Sequence, residues 1–403
     1  MSCAERSSLG LALVLVLLSA CGGGGEGRSP GTGTDPDANV LPLSVNGDAC
    51  GGAGGYLNQP CVRVTVCAPG TDDCRTIDRV LLDTGSFGLR LFRQPLEGLA
   101  LEQLPAPGGG ALASCTRFAD LSADWGPVQL ADVVLGGEPA VRVPIQVIDA
   151  TFGPPPGSCP EPETSPEEAG FNGILGVGVF REECGAPCAA IADNGLYFAC
   201  DGGTCEGTAV PEEDQVQNPV AHLPGDNNGV VVELPAVGAA GAPSVEGRVL
   251  LGIGTRPNNA VEGATALPLD RRTATFTTTL EGRALPGSFL DTGSNGLFFP
   301  APEARPIPAC PAPVSHWYCP DGFVALTAIN TGFGGGPSED VSFEVGDFRA
   351  LVGSGNRVLP GLAGGAIVGS GFDWGLPFFL GRRVAVGLDG ARSALGEGPY
   401  VAW

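Results

Sequence analysis

One short phrase occurs twice in this chain: Leu81-Leu82-Asp83-Thr84-Gly85-Ser86 near the start, and Phe289-Leu290-Asp291-Thr292-Gly293-Ser294 in the second half. The full copies cover residues 80–89 and 288–297, and both close on a glycine and a leucine, Gly88-Leu89 and Gly296-Leu297. A single Asp-Thr-Gly-Ser is an ordinary turn, because Asp, Gly and Ser each favour turns for their own physical reasons. Two copies, each behind an apolar strand-like run, constrain the fold much further. They predict a chain of two related halves that brings Asp83 and Asp291 together at a pseudo-symmetric centre.

A second repeated element follows each copy. After Asp83 comes Phe171-Asn172-Gly173-Ile174-Leu175-Gly176-Val177-Gly178, with Ile174 91 residues on; after Asp291 comes Gly365-Ala366-Ile367-Val368-Gly369, with Ile367 76 residues on. Two apolar residues and a glycine suit a buried strand passing close behind another backbone, where a side chain would not fit. Elsewhere, short β-prone runs separated by Gly and Pro cover residues 61–67, 128–135, 141–148, 230–234, 248–253, 273–280 and 341–345. Helical periodicity is confined to 188–194, so the chain reads as mainly β.

These elements resemble the pepsin-like aspartic peptidases, in which every lobe pairs an apolar-apolar-Asp-Thr-Gly loop with an apolar-apolar-Gly strand. Residues 171–177 look like the family's F-D-G-I-L-G-L, residues 247–254 like the strand that opens its second lobe, and residues 367–388 like its last strands. Within that clan the chain is most similar to a family of uncharacterised bacterial lipoproteins. The shared phrases are D-T-G-S-x-G-L, G-I-G-T-x-x-N-N at 252–259 and L-P-F-F-x-G-R at 376–382. The resemblance implies an all-β, bilobal acid-protease fold, two pseudo-symmetric β-barrel lobes with an active cleft between them. A polar, Pro-rich stretch at 211–229 places the expected boundary, giving an N-terminal lobe over 40–228 and a C-terminal lobe over 229–403.

The chemistry follows from two carboxylates a few ångströms apart. Like charges at that distance cannot both ionise cheaply, so the pair holds one shared proton. The ionised member takes a proton from a bound water while the protonated member polarises the substrate carbonyl. Gly85 and Gly293 allow tight loops. By resemblance, Thr84 and Thr292 cross-link the loops, and Ser86 and Ser294 each orient the neighbouring carboxylate. The family also closes a hairpin flap carrying a tyrosine over its substrate. The corresponding stretch here, 118–126, offers Phe118, Asp120 and Trp125 but no tyrosine, and Arg90 stands where the family commonly has a bracing tryptophan. No basic inhibitory propeptide of the usual length lies between Cys21 and Asp83. The expected activity is that of an aspartic endopeptidase acting as a monomer on a peptide or protein substrate, without metal or cofactor. A non-catalytic protein that holds a peptide or partner in the same cleft is the alternative.

Composition excludes other chemistries. A net charge of −23 leaves no basic patch for nucleic acid. The absence of lysine removes the Walker A loop, Schiff bases and pyridoxal phosphate. The two histidines, His222 and His316, read as surface or loop residues, and no G-x-S-x-G occurs. Residues 9–20 form an apolar run of signal-peptide length, and Leu18-Ser19-Ala20-Cys21 looks like a bacterial lipoprotein cleavage box. That resemblance implies a signal peptide over 1–20, lipid on Cys21 and a flexible Gly/Ser/Pro tether over 21–39. Gly22, where an aspartate would suggest inner-membrane retention, points to the outer membrane of the cell envelope. Of the 14 cysteines, Cys3 and Cys21 fall in this leader and an even number remain. Several lie close in sequence (50 and 61, 67 and 74, 184 and 188, 200 and 205, 310 and 319), as disulfide staples do in an oxidising compartment. Their pairing is left open by sequence alone.

Overall fold

The computed structural model describes residues 35–51, 56–366 and 371–403. The signal peptide, Cys21 and most of the tether fall outside the described residues. The described chain is all-β, and its longest helix, Phe348–Gly353, has six residues. The helix expected near 188–194 is the short Ala186–Ala190. It stops there because Asn194 folds back, donating from Nδ2 to the carbonyls of Ile191 and Thr208 at 2.8 and 2.9 Å.

Strands form a 16-stranded sheet, a seven-stranded sheet and a two-stranded hairpin. Six strands of the largest sheet follow one another in the order Ala123–Val134, Val141–Ile148, Phe87–Phe92, Gly173–Val177, Cys74–Asp83 and Pro60–Cys67. The last pairs back to the first, Thr65 opposite Val134, and so closes a barrel-like ring. Closure satisfies edges that would otherwise be open. Its interior is filled by side chains such as Val64, Leu82, Leu89, Val143 and Leu175, none of which has exposed surface.

The same sheet continues into distant sequence. Val40–Val45 pairs with Val245–Leu251, which pairs with Gly229–Glu233, which pairs with Arg383–Gly387. Strands from either side of residue 228 therefore share one sheet. The 211–229 stretch is itself packed: Val216, Asn218 and Val220 are fully buried, and Asn218 Nδ2 donates to the Gly178 carbonyl at 3.1 Å. The end of the expected tether is also part of the folded body. Ala38 and Asn39 are buried, and Asn39 Nδ2 donates to the Leu251 carbonyl at 2.9 Å. Its polar composition resembled a linker, but the amide satisfies backbone that would otherwise be orphaned.

In the seven-stranded sheet, Phe276–Leu280, Arg283–Leu290, Val324–Thr331 and Ser338–Val345 pair antiparallel. Leu326, Ala328 and Asn330 face inward while their neighbours face out, the alternation of a sheet with one solvated side.

Behind each Asp-Thr-Gly loop runs a parallel strand, and here one expectation is corrected. In the first half Leu82 lies opposite Leu175 and Asp83 opposite Gly176, as the repeat predicts. In the second half the partner of Arg283–Leu290 is Asp373–Trp374, with Phe289 opposite Asp373 and Leu290 opposite Trp374. Gly375 is thus the counterpart of Gly176, not Gly369; residues 367–370 lie outside the described set. The physical test agrees with this register. A Cβ on Gly176 would sit 2.7 Å from the Phe87 nitrogen, and one on Gly375 would sit 2.1 Å from the Gly296 carbonyl oxygen. Neither could be accommodated. Aromatic stacking fixes the second strand, since the rings of Phe372 and Trp374 lie 3.8 Å apart at 7°.

Six disulfides occur among the described residues. Five join the close neighbours in sequence. The sixth, Cys115 to Cys159, spans 44 residues and ties the Ala111–Arg117 strand to the loop that follows Val141–Ile148. No helix of the described residues is long and apolar enough to cross a membrane.

Candidate active site

Asp83 ends one strand and Asp291 directly follows another, and the two Asp-Thr-Gly-Ser loops face each other. Their local geometry is the same. Asp83 accepts from the Gly85 N–H on Oδ1 at 2.7 Å and from the Ser86 hydroxyl on Oδ2 at 2.5 Å. Asp291 accepts from the Gly293 N–H on Oδ1 at 2.8 Å and from the Ser294 hydroxyl on Oδ2 at 2.7 Å. The threonines exchange bonds across the centre. The Thr84 N–H donates to Thr292 Oγ1 and the Thr292 N–H to Thr84 Oγ1, both at 3.0 Å. Their hydroxyls in turn donate to the carbonyls of Leu290 and Leu82, at 3.1 and 2.7 Å. Four buried bonds join backbone from opposite ends of the sequence. Gly85 and Gly293 are required by closeness: a Cβ on Gly85 would lie 2.7 Å from Asp291 Cγ, and one on Gly293 3.0 Å from Asp83 Cγ.

Asp83 is buried and Asp291 half-buried. Burial pushes the Asp291 carboxyl well above the usual carboxylate range, and the charges of Asp83 and Asp373, with a hydrogen bond to Asp83, push it further. A carboxyl that resists ionisation beside a second carboxyl is the condition for holding one proton between them.

Asp373 is a site residue that sequence reasoning missed. The Ser294 hydroxyl lies 2.7 Å from Asp373 Oδ2 as well as 2.7 Å from Asp291 Oδ2. Burial pushes the Asp373 carboxyl up to about 8, a rise to which Asp83 adds and which the Ser294 hydrogen bond opposes. A carboxyl at that value is mainly protonated at pH 7, so it can donate to Ser294 Oγ and leave the single Ser294 hydrogen for Asp291; when ionised it accepts from Ser294 instead. The sequence signal lay in the strand register: Asp373 occupies the place that Ile174 holds in the first half.

Above the carboxyls is a cavity of about 620 Å³ that both aspartates line. The hairpin of Ala111–Arg117 and Ala123–Val134 overhangs it, turning through Leu121 in the left-handed region (φ 76°). Phe118 and Asp120 line the cavity as expected of a flap. Trp125 does not, and is a correction. It pairs opposite Cys115 on the other face of the hairpin, is fully buried, packs on Phe198 and donates from Nε1 to the Phe152 carbonyl at 2.9 Å. Strand alternation sends Asp124 and Thr116 to the cavity side instead.

A tyrosine does line the cavity, from outside the hairpin. Tyr56 precedes the Pro60–Cys67 strand, and burial and then the charges of Asp83 and Asp291 raise its hydroxyl well above its ordinary value. Its loop is held by the Cys50–Cys61 disulfide and by Asn58, whose Nδ2 donates to the Asn295 carbonyl at 2.7 Å, next to the second Asp-Thr-Gly-Ser. Arg90 is buried and fully engaged. It pairs with Glu183, donates to the Phe87 carbonyl at 2.9 Å and to Thr116 Oγ1 at 3.2 Å, and Tyr197 donates to Glu183 at 3.0 Å. His222 and His316 are exposed and away from this cavity. Among the described residues no three His, Cys, Asp or Glu side chains are grouped to hold a metal ion.

The chain belongs to the family described as "Protein of unknown function (DUF3443)", whose profile matches residues 35–403. No curated protein matches it.

Proposed function

We propose that this member of the family is an aspartic-type endopeptidase with a pepsin-like, two-lobed architecture, anchored by lipid on Cys21 in the bacterial cell envelope, on the outer membrane. The observation that carries the reading is the pairing of Asp83 with Asp291: two carboxyls in matched loops, each lying against the glycine of the other's loop, at the floor of an open cavity. A water held between them gives up a proton to one carboxylate as it attacks the substrate carbonyl, while the protonated partner donates to the carbonyl oxygen. The tetrahedral intermediate then collapses with proton transfer to the leaving amine. No covalent enzyme intermediate forms. The reciprocal threonine bonds support this chemistry by fixing the carboxyl spacing. An extended peptide lying along the cavity, covered by the hairpin tip at Phe118 and Asp120, is the substrate that fits.

The test is hydrolysis of a mixed peptide library between pH 3 and 7 by the wild-type protein, Asp83→Asn and Asp291→Asn. Cleavage by the wild type that either substitution abolishes supports the reading, and cleavage that survives both rules out the dyad. Peptide binding in the cleft with no cleavage at any pH would favour the non-catalytic alternative.

A further inference from the structure

The charges around the cavity are unevenly matched. Besides the dyad, the carboxyls of Asp120, Asp124, Glu163 and Glu183 line it, against Arg90 and Arg117. Arg90 is spent on Glu183. Among the described residues no ion pair reaches Asp120, Asp124 or Glu163, so the carboxyls of the cavity outnumber the two arginines that share it.

Asp124 distinguishes this cluster from a solvated acidic face. Its side chain is 1% exposed, it sits on the cavity side of the hairpin opposite Thr116, and its Oδ2 has no hydrogen-bond partner. A buried carboxyl oxygen without a donor is costly, and natural proteins rarely leave one. While Asp124 is ionised, the partner its Oδ2 lacks is a hydrogen-bond donor, which favours a cationic ligand over an anionic one. Burial pushes the Asp124 carboxyl up to about 7, with Glu163, Glu183 and Asp120 adding to the rise and Arg90 opposing it. An arriving cation would reverse that balance and draw the proton off. Phe171, Ile174 and Leu196 line the same cavity and offer apolar wall to the methylene stem of a long basic side chain.

We propose that the inner end of the cleft, beneath the hairpin, is a subsite for a basic side chain of the bound peptide, lysine or arginine, with Asp124 as its counter-ion and Glu163 and Asp120 reinforcing the field. The inference rests on the endopeptidase reading above for its turnover assay, and it names the substrate class of that site.

The test compares two peptides that differ only in lysine against its uncharged isostere norleucine, placed in turn at each position around the cleaved bond. At one position the wild type should favour lysine, and Asp124→Asn should cut the ratio of kcat/KM for lysine over norleucine at that position by at least about tenfold. Glu163→Gln, at a half-exposed position, should give a smaller loss of the same kind, about threefold. Equal handling of lysine and norleucine by the wild type at every position, or a lysine preference that both variants retain, overturns the subsite. Direct binding of the same peptides to Asp291→Asn, with and without Asp124→Asn, separates the two readings. A lysine preference in binding that needs Asp124, without cleavage by the wild type, would sink the peptidase and keep the subsite. Cleavage without the preference would do the reverse.

Discussion

Replacing Asp373 by asparagine tests the arrangement behind the dyad more directly than any assay of turnover. The carboxyl is buried, and its value is raised from 3.8 to about 8, chiefly by burial. A carboxyl whose folded value is raised contributes stability that is fully present below its unfolded value, near 4, and is lost as pH rises through the folded value, near 8. At about 1.4 kcal/mol per unit, holding the proton on Asp373 at pH 7 costs up to about 4 kcal/mol relative to an unfolded chain in which it ionises freely. Asparagine has the same shape and no such cost. Its amide can donate to Ser294 Oγ as the protonated carboxyl does, so Ser294 still donates to Asp291.

Asp373→Asn and the wild type should therefore unfold at the same urea concentration near pH 4. The variant should become progressively more stable above it, reaching up to about 4 kcal/mol at pH 7. Urea titrations at half-unit steps from pH 4 to 8, with disulfides intact, give the comparison. Removing the Asp373 charge also eases the rise of Asp291, which Asp373 helps to cause, so this second contribution adds to the variant's gain in the same direction. A stability difference that is flat with pH, or a wild type that gains on the variant as pH rises, would refute the protonated Asp373 and with it the direction of the Asp373-to-Ser294-to-Asp291 chain.

The buried pair of Arg90 and Glu183 gives a second prediction. Arg90→Leu leaves Glu183 buried with only hydroxyl partners, Thr116 and Tyr197, and should cost about 3–5 kcal/mol in denaturant titration, whereas adding Glu183→Leu should restore part of the loss. A double variant as unstable as the sum of the singles would show that the two do not act as a pair. A third concerns the anchor: an alkyne-tagged fatty acid fed to producing bacteria should label the wild-type protein and not Cys21→Ser, and label persisting in the variant would remove the lipid from Cys21.

What could be read from sequence is what backbone geometry dictates. Asp-Thr-Gly-Ser was legible because each member has a local task that few residues can fill: glycine for closeness, serine and the glycine N–H for the carboxylate, threonine for the exchange across the centre. Strands were legible where burial alternates or runs unbroken, as in Gly173–Val177 and Val141–Ile148. Facing was harder. Trp125 and Asp124 are neighbours, and only the hairpin register decides which of them meets the cavity. A large aromatic looked like the ligand-facing residue, yet burying it against Cys115 and Phe198 uses its area better. Tyr56 was hidden for another reason. Its approach to the dyad depends on a loop held by a disulfide and by Asn58 bonds to residues 295 and 359, contacts that no local pattern encodes.

The misplaced glycine strand carries the larger consequence. An apolar-apolar-Gly pattern selects Ile367-Val368-Gly369, but the requirement is imposed only on the glycine, where a Cβ would strike the neighbouring backbone; the residue two before it is free to differ. In the first half that residue is Ile174, and in the second it is Asp373. The two halves thus match in backbone and diverge in the side chain nearest the carboxyl. Among the described residues only Asp291 has a third carboxyl behind its serine, and that neighbour adds to the rise that burial begins. In the mechanism proposed above, this asymmetry assigns Asp291 as the donor to the substrate carbonyl and Asp83 as the acceptor of the water's proton, and it arises from one side chain at a position where the internal repeat places no constraint.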